Sequence, residues 1–249
     1  MAGAKVSSAE EVPVDIPAVV ERMRRIDAEL PRGDGFWWFN KLYLRTTEEV
    51  LAAHRAGAFV DPAFVTRWAA VFADLYFDAL RDATAAPTRL PRAWRPLAEA
   101  RSRRGIRPLQ FALAGMNAHI NRDLPVALFE VCQERGLPPV LDGPVRRDFE
   151  TINEILARVQ AEAKDDFTTP FWRVVDRLLG RADDVFILWS IERARDAAWV
   201  STELLWCLRD RPAEQRHQIE ILDGLVGYAG RGILYQDAWL ARTRLAWGA

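Results

Sequence analysis

The amino-acid sequence predicts an all-α fold, a single-domain multi-helix bundle built around one central buried helix. Apolar residues recur every three or four positions along most of the chain, which is the period of an amphipathic helix. No stretch alternates between apolar and polar residues for long enough to predict a strand. The chain has 249 residues, of which 50% are hydrophobic, enough for one large core. We assign residues 1–14 to a flexible N-terminal tail and residues 15–249 to a single helical domain.

The N-terminal segments predict one helix followed by an aromatic run. Asp15 can cap the first helix, with Pro17 in its opening turn. The glycine- and proline-containing segment 31–35 ends this helix, and aromatic residues dominate positions 36–43. This run can be a helix or strand wedged into the core, or one wall of an apolar pocket. In the second case Trp38 is a candidate substrate-binding residue.

Two further helices and a connector follow the aromatic run. Thr46 or Thr47 is expected to cap a helix of its own. Asp61-Pro62 is a cap and first-turn pair that begins a helix with one apolar stripe. Residues 83–107 are rich in proline and arginine, which predicts a connector that carries one short helix.

The central helix is predicted at residues 109–135. Pro108 suits its first turn, and Gly136 suits a left-handed stop after its last turn. Apolar residues cover most of the circumference of this helix, which predicts that it is buried on all sides. Pro125 lies inside it and predicts a kink, because a proline removes one hydrogen bond and presses on the carbonyl four residues earlier.

Four polar residues interrupt the apolar surface of this helix. His119 and Asp123 are four apart on one face, and Asn117 and Asn121 are four apart on a nearly opposite face. Each buried polar group needs a partner, since an unpaired one costs on the order of 1–3 kcal/mol. The four residues are therefore either a structural polar network or a catalytic site, and we favour the site.

The segment Gly115 to Leu124 carries a resemblance. It resembles the signature of a bacterial family of unknown function whose members contain a G-M-N-A-H-I-N-x-D-L segment, and the resemblance extends over most of the chain. This family implies no established activity. The spacing of His119, Asp123 and Pro125 is also similar to the helical H-x-x-x-D motif of the zinc-dependent phospholipase C and P1 nuclease group.

The C-terminal half predicts four or more helices, two of which bear candidate site residues. A helix at 145–163 directs Asn153 inward, where it can contact the central polar cluster. A short helix follows at 170–180, and Pro212 begins a helix that glycines separate from a last one at 232–247. Between them, the helix at 184–209 places tryptophans and carboxylates on one stripe, including Trp189, Glu192, Asp196 and Trp199.

The carboxylates on this stripe are either paired with arginines or part of a site. In the second case Glu192 and Asp196 face His119 and Asp123, and the four residues suit one divalent cation, Fe, Mn, Zn or Mg. Trp189 and Trp199 would line the pocket with Trp38.

Three functions are consistent with this pattern. The leading hypothesis is a hydrolase or lyase that acts on an apolar or lipid-like small molecule, with His119 as general base or metal ligand. The second is a metal-free cyclase or isomerase that uses the same histidine and Asp123 as an acid–base pair. The third is a helical protein that binds an apolar ligand or a partner without catalysis.

Composition excludes several other classes. The formal net charge of −1 provides no basic field to attract nucleic acid or an anionic membrane surface. The longest apolar run, at 185–189, is too short to cross a bilayer, and the N-terminus has no apolar signal core. Cys132 and Cys207 are isolated cysteines typical of a reducing compartment. We therefore expect a cytoplasmic protein.

Overall fold

The secondary structure is helical, without a strand, over the residues that the computed structural model describes, 14–165 and 191–247. Side chains are described within 14–158 and 191–235. The predicted tail, except Val14, and the helix predicted at 170–180 lie outside these ranges. The helices are α1 (Ile16–Glu29), α2 (Gly35–Arg55), α3 (Pro62–Ala85), α4 (Arg95–Ala100), α5 (Pro108–Ala118), α6 (Leu124–Arg135), α7 (Pro144–Asp165), α8 (Ile191–Cys207) and α9 (Pro212–Trp247).

The predicted central helix is confirmed. It consists of α5, a π-helical turn (His119–Asp123) and α6, which follow one another without a break. Its first part packs against α2 and α9, and its second part packs against α3 and α8. All residues from 110 to 120 are buried, and Gly136 ends the helix with a φ of 63°. Up to Phe129 the central helix is therefore largely enclosed by other helices, as its apolar surface predicts, whereas Glu130 and the residues at 133–135 are exposed.

The π-helical turn lies where the sequence predicts a proline kink. The N–H of Leu124 donates to the carbonyl of His119, five residues earlier. Because this turn holds one more residue than an α-helical turn, the ring of Pro125 avoids the carbonyl that an unbroken α-helix would press against it. Single π turns inside α-helices occur frequently at functional sites. The π turn thus contains three of the four polar residues of the central helix, His119, Asn121 and Asp123.

The predicted helix start at Thr46 or Thr47 is wrong. α2 runs without interruption through the aromatic run and both threonines. Their hydroxyls donate to the carbonyls of Leu42 and Tyr43, one turn earlier, at 3.1 and 2.8 Å. These bonds satisfy both hydroxyls inside a helix, so neither threonine is needed as a cap.

The predicted break between the last two helices is also wrong, because α9 is continuous. A Cβ on Gly227 would lie 2.5 Å from the carbonyl oxygen of Arg92, so the glycine permits a close approach of α9 to the α3–α4 connector. Asp223 accepts hydrogen bonds from the N–H groups of Arg92 and Ala93 at 2.7 and 3.0 Å in the same region. This docking offsets the cost of about 1 kcal/mol that a glycine imposes inside a helix.

One contiguous cluster of buried apolar side chains includes members of all nine helices. A small second cluster lies between α6 and α8 and consists of Val126, Phe129 and Leu205. The π turn lies within the larger cluster, where Ala118 and Leu124 on either side of it are fully buried. No helix in the described ranges has a stretch long and apolar enough to cross a membrane.

Candidate active site

His119 and Asp123 form a buried pair on the π turn. Nδ1 of His119 lies 3.1 Å from Oδ2 of Asp123. An ionised carboxylate can only accept a hydrogen bond, so the proton of the neutral imidazole resides on Nδ1. Nε2 is then left with a lone pair that can accept a hydrogen bond or a proton. The structure brings these two residues together as their spacing predicts.

Asp123 accepts hydrogen bonds from three side chains. In addition to His119, the indole Nε1 of Trp94 donates to Oδ2 at 2.9 Å, and the guanidinium of Arg122 donates to Oδ1 at 2.8 Å. Asp123 is completely buried, which by itself raises the pKa of its carboxyl. The hydrogen bond from His119 and the charge of Arg122 outweigh burial and hold this pKa below its ordinary value. Asp123 is therefore a fixed anion that orients the imidazole.

The ring of His119 is held between aromatic side chains. It stacks on Phe72 with a centroid distance of 3.7 Å and an interplanar angle of 6°, and it meets Tyr43 edge-on at 4.5 Å. Burial lowers the pKa of His119, although Asp123 acts in the opposite direction. Nε2 is buried and has no hydrogen-bond partner among the described residues. At neutral pH His119 is thus an uncharged base with a free lone pair.

A largely apolar cavity of about 130 Å³ lies beside His119. This volume is close to that of the engineered apolar cavity of about 150 Å³ that binds one benzene. The cavity is lined by residues from five helices, among them Phe39 and Tyr43 of α2, Trp68 and Phe72 of α3, Ile152 of α7 and Arg195 of α8. A small apolar molecule can therefore be placed next to the buried base.

Tyr43 provides a hydrogen-bond donor in the same cavity. Burial raises the pKa of its phenol well above the ordinary value, and the charge of Asp123 adds to this effect. The hydroxyl consequently stays protonated at neutral pH. Tyr43 belongs to the aromatic run at 36–43, in which the sequence predicts Trp38 as the substrate-binding residue. Tyr43, and not Trp38, lines the cavity together with His119.

Gly115, the first residue of the motif, shapes the cavity wall. A Cβ at this position would lie 2.5 to 2.7 Å from atoms of the Phe39 side chain. Phe39 lines the cavity and meets the His119 ring edge-on, with centroids 5.6 Å apart. A larger residue at position 115 would push Phe39 out of place, so glycine here permits the aromatic surroundings of His119.

Asn117 and Asn121 form a separate pair on the other side of the central helix. The side-chain amide of Asn121 donates to Oδ1 of Asn117 at 3.1 Å. The amide of Asn117 donates to the backbone carbonyl of Val226 in α9 at 2.9 Å. Neither asparagine lines the cavity. The structure therefore places the two predicted catalytic residues Asn117 and Asn121 apart from the cavity, where their hydrogen bonds join α5 to α9.

None of the predicted wall tryptophans in the described part of the chain lines the cavity. Trp38 is half-buried against the core and does not line the cavity. Trp199 is buried elsewhere, and its Nε1 donates to Glu203 at 2.8 Å. Trp189 lies outside the described residues. The tryptophan that lines the cavity in the described part of the chain is Trp68 of α3.

The predicted set of metal ligands, His119, Asp123, Glu192 and Asp196, does not come together. Glu192 and Asp196 are exposed. Within the described ranges, no group of three or more His, Cys, Asp and Glu side chains is arranged to hold a metal ion. The sequence predicts the carboxylate stripe as the inner face of α8, whereas the buried face lies about one position away. That face consists of Ala194, Arg195, Ala198, Trp199, Thr202 and Leu205.

Asn153 contacts Arg195 and not the central polar cluster. Its Oδ1 accepts a hydrogen bond from Nε of Arg195, and its amide donates to Glu150 at 2.7 Å. Arg195 lines the cavity, so Asn153 contributes to the site by holding this arginine. Arg195 is not among the site residues that the sequence predicts.

Trp94 and Arg122 were also missed as partners of Asp123. The sequence contains an indication of the role of Arg122, since this residue directly precedes a buried carboxylate within the motif. It contains no such indication for Trp94, which lies in the connector, 29 positions from Asp123.

The lowered pKa of His119 predicts a pH-dependent stability. As the pH falls through the ordinary value of 6.5, the unfolded chain takes up a proton at this position while the folded chain does not. The free energy of unfolding should therefore decrease with falling pH until the folded-state pKa is reached. Urea unfolding between about pH 7 and pH 5 tests this, because the His119→Phe variant should lack this part of the slope. An identical slope in both proteins would contradict the lowered pKa.

Comparison with known proteins gives one match. The family of unknown function DUF5995 matches residues 16–236, a range that includes the π turn, α2, α3 and Arg195. No curated protein and no solved structure matches the chain. The similarity to the phospholipase C and P1 nuclease group stays a prediction. Because the match spans most of the sequence, the chain belongs to the DUF5995 family.

Proposed function

We propose that this protein is an enzyme that uses His119 as a general base on a small, largely apolar molecule bound in the cavity. One observation carries the proposal: Nε2 of His119 is buried and without a partner in the described part of the chain, while Nδ1 is held by the anionic Asp123. An unsatisfied buried acceptor costs about 1–3 kcal/mol, which a ligand that donates to Nε2 would recover. A base oriented by a carboxylate is the arrangement that proton-transfer enzymes use.

The residues present suit proton transfer at carbon. Nε2 would remove a proton from a carbon next to a carbonyl group, and the imidazolium that forms would be stabilised by Asp123. The hydroxyl of Tyr43 would donate a hydrogen bond to the enolate oxygen as negative charge develops there. In a β,γ-unsaturated substrate, return of the proton to the γ-carbon of the dienolate gives an isomerisation. In a substrate with a leaving group at the β-carbon, that group departs with its electron pair and can take the proton from the imidazolium, which gives an elimination. An isomerase or lyase is therefore favoured over a hydrolase, and Glu192 and Asp196 have no part in it.

A second function, binding of an apolar ligand without turnover, is favoured by the composition of the wall. Thr46 and Thr47 line the cavity, but their hydroxyls are already bonded to the backbone of α2. Much of the remaining wall is aromatic or aliphatic. Such a surface binds apolar molecules whether or not a reaction follows.

Exchange of α-protons tests the catalytic function directly. Cyclopentanone is small enough for the cavity, and its α-protons exchange with D₂O through the enolate. We expect the protein to accelerate this exchange, measured by ¹H NMR, relative to free imidazole at the same concentration. The rate should rise with pH and level off above a pKa that is lower than the ordinary 6.5. Exchange no faster than in the imidazole control would contradict catalysis, and binding of the ketone without exchange would favour the second function.

A further inference from the structure

Arg195 is a buried cation at the cavity that has only neutral partners. Its residue exposure is 4%, and it lines the cavity. Nε donates to the side-chain oxygen of Asn153, and a terminal nitrogen lies 3.4 Å from the carbonyl oxygen of Phe149. The guanidinium carbon lies 4.3 Å from the centroid of the Phe149 ring. In the described part of the chain no carboxylate lies within ion-pair distance of Arg195.

The charged side chains around Arg195 do not neutralise its positive charge. Glu150 is the carboxylate with the largest effect on it, but Glu150 forms its ion pair with Arg146. Arg146 lies over the same Phe149 ring, at 5.5 Å, and repels Arg195. Asp196 is exposed, so water screens its charge. Burial lowers the pKa of Arg195 to about 9, the direction expected of a cation that lacks an anionic partner.

Trp68 adds an unused donor to the same wall. Its exposure is 2%, and its ring stacks on Phe149 with centroids 5.9 Å apart and an interplanar angle of 13°. The buried Nε1 has no hydrogen-bond partner among the described side chains or backbone. Arg195 and Trp68 both contact Phe149 and both line the cavity. The wall of the cavity thus includes a residue with an unpaired N–H and a residue with an uncompensated guanidinium, and an anion with oxygen acceptors bound in the cavity would satisfy both.

We propose that the cavity binds a small apolar monocarboxylic acid, with its carboxylate at Arg195 and Trp68 and its hydrocarbon part along Phe39 and Phe72 towards His119. Arginine is the residue that matches a carboxylate with two parallel hydrogen bonds. The cavity volume of about 130 Å³ limits the hydrocarbon part to a single ring or a branched chain of similar size. The inference rests on the proposed function for the role of His119, which requires a substrate with a carbonyl group near that residue, and it adds a carboxylate at the opposite end of the substrate.

Titration calorimetry with matched acids and amides tests this inference. Benzoate and 3-methylbutanoate are compared with benzamide and 3-methylbutanamide, which have nearly the same shape but no charge. At a pH near 7.5, where the acids are ionised, each carboxylate should bind the wild-type protein about tenfold or more tightly than its amide. Arg195→Gln should reduce this preference to within about twofold. Arg147→Gln removes the same charge from an exposed position of α7 and should leave the preference unchanged.

The comparison in the wild-type protein requires no variant, so the inference can fail even if Arg195→Gln does not fold. Equal affinity for acid and amide, or no detectable binding of either carboxylate, overturns it. A preference that persists in folded Arg195→Gln also overturns it. His119→Gln should retain the preference, since this residue lies outside the proposed anion site. A preference without proton exchange would therefore refute the proposed catalysis alone, whereas exchange without a preference would refute the anion site alone.

Discussion

Replacing His119 with glutamine should lower the rate of α-proton exchange by about 10²–10⁴-fold, the usual contribution of a positioned general base. Glutamine can still donate an amide hydrogen to Asp123 but offers no basic nitrogen to the cavity. The measurement is the exchange of cyclopentanone by ¹H NMR. The free energy of unfolding should fall by only about 1–2 kcal/mol, because the hydrogen bond to Asp123 is replaced and a stacking contact with Phe72 is lost.

His217→Gln is the matched control for this experiment. His217 is exposed on α9, so its replacement removes an imidazole from the protein surface without touching the cavity. The His217→Gln variant should accelerate the α-proton exchange of cyclopentanone as much as the wild-type protein does. If His119→Gln and His217→Gln exchange equally fast, the catalysis does not depend on His119 and the proposed function is wrong.

Replacing Asp123 with alanine should reduce the free energy of unfolding by about 3–5 kcal/mol, the cost of removing one member of a buried charged network. The substitution leaves three donors without their acceptor: Nε1 of Trp94, Nδ1 of His119 and the guanidinium of Arg122. Trp94 and His119 are almost inaccessible to water, so solvent cannot readily replace the carboxylate. Urea unfolding at neutral pH measures the loss.

Asp78→Ala provides the control for Asp123→Ala. Asp78 pairs with Arg81 on an accessible part of α3, where an ion pair contributes about 0–1 kcal/mol. Its replacement should change stability by no more than that. A loss of less than about 1 kcal/mol for Asp123→Ala would mean that water or a backbone shift satisfies the three donors. The network would then not be the rigid support for His119 that the proposed function requires.

The parts of this structure that the sequence predicts are those with short-range causes. The all-round apolar surface of the central helix and its ends at Pro108 and Gly136 require no knowledge of other segments. The pairing of His119 with Asp123 follows from helical spacing alone. Pro125 indicates where the backbone departs from an α-helix, but a kink and a π turn are two responses to the same clash, and the choice depends on the surrounding packing.

The rest of the candidate site depends on which face each helix presents to its neighbours. A rotation of α8 by about one residue separates the predicted inner face, with Glu192 and Asp196, from the observed one, with Arg195. Trp199 belongs to both candidate faces, so its position alone could not distinguish them. Trp94 and Tyr43 reach the site through contacts between helices distant in sequence, for which helical periodicity contains no information.

The π turn also determines how the protein would respond to changes in chain length. In an α-helix each residue adds a rotation of about 100°, so the extra residue of this turn sets the orientation of α6 relative to α5. Deleting a single residue from 119–123 would remove the π turn, press the ring of Pro125 against the carbonyl four residues earlier and turn the inner face of α6 away from α3 and α8. A one-residue deletion here would therefore prevent α5 and α6 from packing against their neighbouring helices at the same time. Point substitutions at nearby surface positions would leave the orientation of α6 relative to α5 unchanged.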